Sequence, residues 1–150
     1  MQPATEASAE SAFVAGFVAA EGAFIASGRP PVFSFVVGLG ATDADTAELL
    51  HGFFGVGYVR WFARRKAHYD DEVRWTVRAL ADQVNVIVPF MDAHLPVSHK
   101  RAQYLVWRDA LFEHWEHGAR RQRTCTLDGC DAPHRAHGLC RHHLYVHHRT

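Results

Sequence analysis

The segment AFVAGFVAAE, residues 12–21, limits what this chain can fold into more than any other stretch. At helical spacing Ala12, Ala15, Gly16 and Ala19 fall at i, i+3, i+4 and i+7, so one face consists of small residues alone. Phe13, Val14, Phe17 and Val18 cover the remaining sides. A helix that is apolar around most of its girth has to be buried nearly everywhere. Its bulky sides suit a sheet, and its small stripe lets a second helix backbone come close. Ser11 can cap it, and the pattern predicts a helix from residue 11 to about residue 22. It closes on an acid, Glu21, followed by Gly22, which permits a sharp exit. From the residues alone, Glu21 is either the solvated end of a core helix or a carboxylate set at the end of a buried seam.

The rest of the chain alternates two periodicities. AFIAS (23–27) and PVFSFVVGLG (31–40) read as strands across the turn-forming Gly28-Arg29-Pro30, and TDADTAELLHGFFG as a helix capped by Thr42 or Asp43 and stopped near Gly55. VGYVRWFARRK (56–66) and EVRWTVR (72–78) are two more strands, joined by HYDD. ADQVNVIVPFMDAHL (81–95) suggests a helix broken near Pro89, and SHKRAQYLVWRDALFEHWEHG (98–118) a long amphipathic helix capped by Ser98 and ending at Gly118. The order α-β-β-α-β-β-α-α is an α+β pattern, without the spacing of a parallel nucleotide-binding sheet. No glycine-rich phosphate-cradling motif is present. Residues 1–10 are small and polar and are expected to be disordered, 11–118 to form the main domain, 119–124 a basic linker, and 125–150 a separate module.

The apolar run Ala12–Ala20 is far too short to span a bilayer, and the first ten residues hold Glu6 and Glu10 but no Lys or Arg. An intracellular protein without a membrane partner is expected. Net charge is zero, but unevenly spread. Residues 1–99 hold seven Lys/Arg against eleven Asp/Glu, whereas residues 100–150 hold nine against five, with eight of the twelve histidines. A local basic surface, which is what a polyanion requires, is therefore not excluded.

VAGFVAAEG, residues 14–22, resembles the LAGLIDADG motif of homing endonucleases in its form ending Glu-Gly. The strand Pro31–Leu39, the helix with Asp43 and Leu49-Leu50, the run Phe53-Phe54-Gly55-Val56-Gly57, the strand around Trp75 and the segment Pro89-Phe90…Leu95…Ser98-His99-Lys100 follow the same family order. The resemblance covers roughly residues 11 to 116 and implies a four-stranded antiparallel saddle sheet. It further implies a site-specific nuclease that hydrolyses double-stranded DNA with a divalent metal and serves the mobility of an intron or similar insertion. Two motif helices make one such active site, so a chain with one motif resembles the homodimeric members, with Ala12, Ala15, Gly16 and Ala19 at the interface. The two Glu21 carboxylates would then share catalytic Mg²⁺. Lys100 stands where the family shows a lysine that supports the attacking water; by itself it reads equally well as a solvated lysine in a first helical turn. Ala19 occupies a position where Asp is frequent, and Val37–Ala41 offers no polar side chain where many members place one. The alternative is a scaffold that binds DNA as a regulator or splicing cofactor without cutting it.

In EVRWTVR, Val73, Trp75 and Val77 alternate with Glu72, Arg74, Thr76 and Arg78; in the strand before it, Val59, Trp61 and Ala63 alternate with Arg60, Phe62, Arg64 and Lys66. One face would enter the core and the other would present Arg60, Arg64, Lys66, Arg74 and Arg78. An antiparallel ribbon fits the DNA major groove, where such cations read guanine or neutralise phosphates. A solvated sheet face is the plainer alternative, but five cations gathered on one face of an otherwise acidic region favour DNA.

All three cysteines lie between residues 125 and 140, an odd number set beside histidines. Cys125-x4-Cys130-x9-Cys140-x2-His143 has the spacing of a closed, structural zinc site, with His142 as the rival fourth ligand. So short a segment cannot build an apolar core, and the metal would serve as one. Gly129 and Gly138 are placed for tight turns. Arg120, Arg121, Arg123, Arg135, Arg141 and Arg149 surround the module and would allow a contact with the DNA backbone.

Overall fold

The computed structural model describes residues 3–120 and 124–147, with α1 at Pro3–Glu21, β1 at Gly22–Ser27, β2 at Val32–Gly40, α2 at Ala44–Phe54, β3 at Tyr58–Phe62 and β4 at Glu72–Val77. Helical residues then run from α3 (Leu80–Asp82) through a wide π turn (Gln83–Ile87) into α4 (Val88–His94), followed by α5 (His99–Arg120). The chain divides into two compact units, Met1–Phe112 and Glu113–Thr150, a boundary that falls within α5 and earlier than the expected break after residue 118.

In the first unit the strands form one antiparallel sheet in the order β1-β2-β4-β3. Strict alternation decides which face is which. Phe33, Phe35 and Val37 of β2 and Val73, Trp75 and Val77 of β4 are buried, while Ser34, Val36, Glu72, Arg74 and Thr76 lie half-buried on the opposite face. Against the apolar face pack Val14 and Val18 of α1, Leu50 and Phe54 of α2, Val88 and Met91 of α4, and Tyr104, Trp107 and Leu111 of α5. Trp75 lies between the rings of Phe35 and Phe54, with centroids at 5.5 and 5.0 Å, and donates its indole N–H to the Val56 carbonyl at 3.0 Å. Each such large apolar side chain, once buried, contributes roughly 1.5–3 kcal/mol.

Local signals place the helices. Ser98 Oγ accepts the Arg101 N–H at 3.1 Å and caps α5, as the sequence suggests. Gly55, at φ 69°, ends α2, its N–H donating to His51 O. Neither Thr42 nor Asp43 caps α2 through its side chain; a short 3-10 turn (Ala41–Asp43) leads into the helix instead. Nor does Pro89 break its helix. It stands in the first turn of α4, just after the π turn, and that wider turn absorbs the missing N–H. Buried Gln83 ties this turn to the sheet, its Nε2 donating to Phe33 O at 3.1 Å and Arg78 O at 3.0 Å.

Two further expectations change. α1 begins at Pro3 rather than Ser11, so the segment expected to be disordered is helical from Pro3 onward: Ala4, Glu6, Ala7, Ala9 and Glu10 are adequate helix formers that extend a helix already anchored by its apolar half. β3 ends at Phe62, which leaves Arg64 and Lys66 in the β3–β4 loop. β3 is also an outer strand: Val59 packs on the core, but Trp61 is 59 % exposed and Ala63 lies past the strand.

The second unit contains β5 (His134–Ala136), β6 (Leu139–Cys140) and α6 (Arg141–His147). β5 and β6 form a small antiparallel hairpin, and Thr124 bridges to Pro133. Residues 121–123 of the expected basic linker, including Arg121 and Arg123, lie outside the described residues, as does Arg149. Among the described residues no helix is long and apolar enough to cross a membrane.

Candidate nucleic-acid interface and metal centre

α1 reaches its end against the sheet because Val14, Ala15 and Val18 are buried in the core. Its last residue, Glu21, is exposed, and the next, Gly22, is buried and already paired with Val37. A Cβ at Gly22 would lie 2.7 Å from Val18 O, so only glycine lets the chain pass from helix to strand here without displacing the helix. From the start of α5, Lys100 Nζ donates to Gly22 O at 2.6 Å. This contact, between residues 78 positions apart in sequence, brings the Lys100 ammonium to the end of α1 that carries the Glu21 carboxylate.

The small-residue stripe divides differently from the expectation. Ala12 and Gly16 are exposed, and a Cβ built at Gly16 meets nothing within 4 Å. Ala15, however, is 2 % exposed and belongs to the chain's own core, and Ala19 packs partly against it. The 100° step per residue explains this: once positions 14 and 18 face the sheet, 15 turns inward with them, and the open face becomes Ala9, Ala12, Phe13, Gly16 and Ala20. Phe13 is 54 % exposed on that face.

The polar face of the sheet carries Arg60, exposed on β3, and Arg74, half-buried on β4; Arg78 is exposed just past the end of β4. Arg64 and Lys66 stand in the loop, where Asp71 accepts the Arg64 N–H and Lys66 lies 6.0 Å from the Tyr69 ring centre. Of the five expected cations, four are exposed and one is engaged: Arg74 forms a bidentate pair with Glu72, at 2.7 and 2.8 Å. The hydrogen bond from Arg74 holds the Glu72 carboxyl below the usual carboxylate range, and the same bond raises Arg74. Glu21, Gly38, Glu72 and Arg74 line two adjoining grooves of about 550 and about 690 Å³ on this face. Sequence reading did not single out Glu72 or Gly38; the signal was the Glu-x-Arg spacing, which puts both side chains on one face of a strand.

In the second unit Cys125, Cys130, Cys140 and His143 place one ligand atom each within 4.8 Å of one another. Cys125 Sγ lies 3.3 Å and Cys140 Sγ 3.4 Å from His143 Nδ1, and Cys130 Sγ lies 3.9 Å from Cys140 Sγ. Zn–S bonds of about 2.3 Å and Zn–N bonds of about 2.0 Å at tetrahedral angles require ligand separations of roughly 3.5–3.8 Å, so the donor set fits zinc. His142 is exposed and outside the group. The turns are where the sequence places them, with Gly129 at φ 79° and Gly138 at φ 78°. Burial acts to raise the Cys125 thiol, but hydrogen bonds from the Leu127 and Cys140 backbone and from His143 outweigh it and bring it to about 6.

An α+β domain whose buried helix ends in an exposed acid beside a polar sheet face defines a fold class, and its relatives define the family. The model of the LAGLIDADG endonuclease family matches residues 14–111, and the chain belongs to that family. An uncharacterized 50.9 kDa protein in ND4 intron 1 of Podospora anserina is 30 % identical over 110 residues; the match covers 66 % of this chain but 23 % of that protein. Among solved structures, the fold resembles I-SmaMI bound to an uncleaved DNA target with calcium ions (TM-score 0.62, 23 % identity, 75 % of this chain and 40 % of that one). It also resembles the homing endonuclease I-TnaI (TM-score 0.58, 25 % identity, 71 % of this chain and 76 % of that one).

Proposed function

We propose that the chain is a homing-type endonuclease that cuts double-stranded DNA as a homodimer. The observation that carries this reading is the juxtaposition at the end of α1: an exposed Glu21, Lys100 held to the adjacent carbonyl, and a basic sheet face opening from the same point. An exposed carboxylate is a hard oxygen donor suited to Mg²⁺. Glu21 of each copy would hold a divalent metal, which would supply charge for activating water and stabilising the leaving oxygen. Lys100, fixed by Gly22 O, holds a positive charge beside the phosphate being cut. Arg60, Arg64, Lys66 and Arg78 grip the duplex through its phosphates or base edges.

The need for a second copy is supported by the one motif helix of this domain and by the open α1 face with Ala12 and Gly16. Cys125, Cys130, Cys140 and His143 bind a structural Zn²⁺ whose four protein ligands leave no position for chemistry. The intron location of the Podospora anserina relative supports a role in moving the element that encodes the chain, and a DNA substrate sets its place of action inside the cell.

A second reading keeps the scaffold and removes the cutting: a DNA-binding regulator or splicing cofactor. Its support is the apolar Val37–Ala41 stretch beside Glu21. One experiment separates the two. The zinc-loaded protein is incubated with a randomised duplex library, with and without Mg²⁺, and new ends are sequenced. Reproducible Mg²⁺-dependent ends at one roughly two-fold symmetric site, absent with Glu21→Gln while binding persists, are expected. Enrichment of bound DNA with no cutting in Mg²⁺ or Mn²⁺ would favour the second reading.

A further inference from the structure

Glu72 and Arg74 leave β4 on the same side, joined by two parallel hydrogen bonds from Arg74 Nε and Nη2 to the two carboxylate oxygens. From β3, the Phe62 ring centre lies 4.5 Å from the guanidinium carbon and packs against its face. From the other side, β2 presents Gly38, which is paired with Arg74 in the sheet register. A Cβ at Gly38 would stand 2.7 Å from Glu72 Oε1 and 3.7 Å from Arg74 Cγ. A Cβ there would make the carboxylate end of Glu72 shift, so the empty place on β2 leaves room for the pair in this position.

This arrangement consumes one edge of the guanidinium and leaves another. Glu72 takes the Nε/Nη2 edge, and among the described residues no group accepts from Nη1. The remaining Nη1/Nη2 edge carries two N–H groups spaced for the O6 and N7 acceptors of guanine in the major groove. As a phosphate ligand Arg74 is poor, because Glu72 already balances its charge. Arg60 and Arg78 differ: neither has a carboxylate partner among the described residues. A guanidinium held on one edge and one face loses little freedom when it meets a base, which is what a reading residue requires.

We propose that Glu72 is a positioning residue that holds Arg74 to read one guanine in each half of the target, close to the bond cut beside Glu21, with Gly38 providing the space. The inference rests on the DNA-cleaving or DNA-binding reading above and deepens it, since Glu21, Gly38, Glu72 and Arg74 line the same grooves.

The test selects bound sequences from a randomised duplex library without divalent metal, using the full zinc-loaded chain and the variants Arg74→Ala, Glu72→Gln and Gly38→Ala. Wild type is expected to require guanine at one position per half-site. Arg74→Ala should accept any base there with little change in the salt dependence of affinity, whereas loss of a phosphate contact would flatten it. Glu72→Gln and Gly38→Ala, one removing the buttress and one displacing it, should each weaken the guanine preference about tenfold and leave the other positions unchanged. Wild-type enrichment with the same sequence preference in all three variants overturns the proposal alone. So does a Glu72→Gln protein that binds every sequence more tightly with guanine preference intact. A wild-type protein that enriches no DNA removes both the proposal and the function on which it rests.

Discussion

Trp75 and Cys140 are almost equally shielded from solvent, at 0 and 3 % exposure, yet for different reasons. Trp75 is covered by rings and aliphatic side chains contributed by a sheet and several helices, and any one neighbour is a small part of its environment. Cys140 belongs to a unit of short strands and one short helix, with the side chains of Cys125, Cys130 and His143 around it. The first region draws its stability from area removed from water, spread over many residues. The second has too little apolar surface to fold on its own, and the proposed zinc would concentrate its stability at one four-residue point. One chain thus carries a domain that should lose stability in increments and a module that should lose it all at once.

The largest effect should follow metal removal. Structural zinc contributes about 10–16 kcal/mol in small modules, so a chelator, or Cys140→Ser, should abolish amide-exchange protection across residues 124–147 while the sheet domain melts as before. Protected amides in a verified metal-free module would break the comparison. Next comes Trp75→Ala, expected to cost the sheet domain about 3–5 kcal/mol in denaturant unfolding, with one zinc per chain retained. Gly22→Ala sharpens the contrast further. It forces a Cβ against Val18 O and should cost about 1–3 kcal/mol, again in the sheet domain alone.

The smallest effect concerns Glu72. Its carboxyl is held below the ordinary value of 4.5 in the folded chain, chiefly by Arg74, so its contribution is present above that value and lost as pH falls through the lower folded value. Both side chains are more than a third exposed, which keeps the contribution under about 1 kcal/mol. Wild type and Glu72→Gln should therefore differ slightly in thermal stability at pH 7 and converge as Glu72 protonates; a difference that grows in acid would contradict the pairing.

Much of the candidate site was legible because it rests on local pattern. The period-2 alternation of residues 72–78 foretold which side chains enter the core, and Ser98 announced the start of α5. The Cys-x4-Cys…Cys-x2-His spacing likewise foretold the cluster of Cys125, Cys130, Cys140 and His143, since residues so near in sequence have few ways to converge. The stripe on α1 was legible as a stripe but not as an interface. Helical spacing gives relative angles, whereas the sheet decides which angle points inward, and it took Ala15 for the core. Arg74 was visible as a cation but not as half of an ion pair, because a strand pattern does not say what a facing strand leaves vacant at Gly38.

Sequence alone therefore determined the α+β class, the family to which the chain belongs, the acid that closes α1 and the four residues that cluster in the tail. Each is written in spacings of a few residues, over which backbone geometry is nearly invariant. Tertiary structure decided the rest. It set which face of α1 stays open, how Lys100 reaches Gly22, and that Glu72, Arg74, Phe62 and Gly38 form one unit. Those outcomes depend on contacts between strands and helices far apart in the chain, whose register no local periodicity encodes.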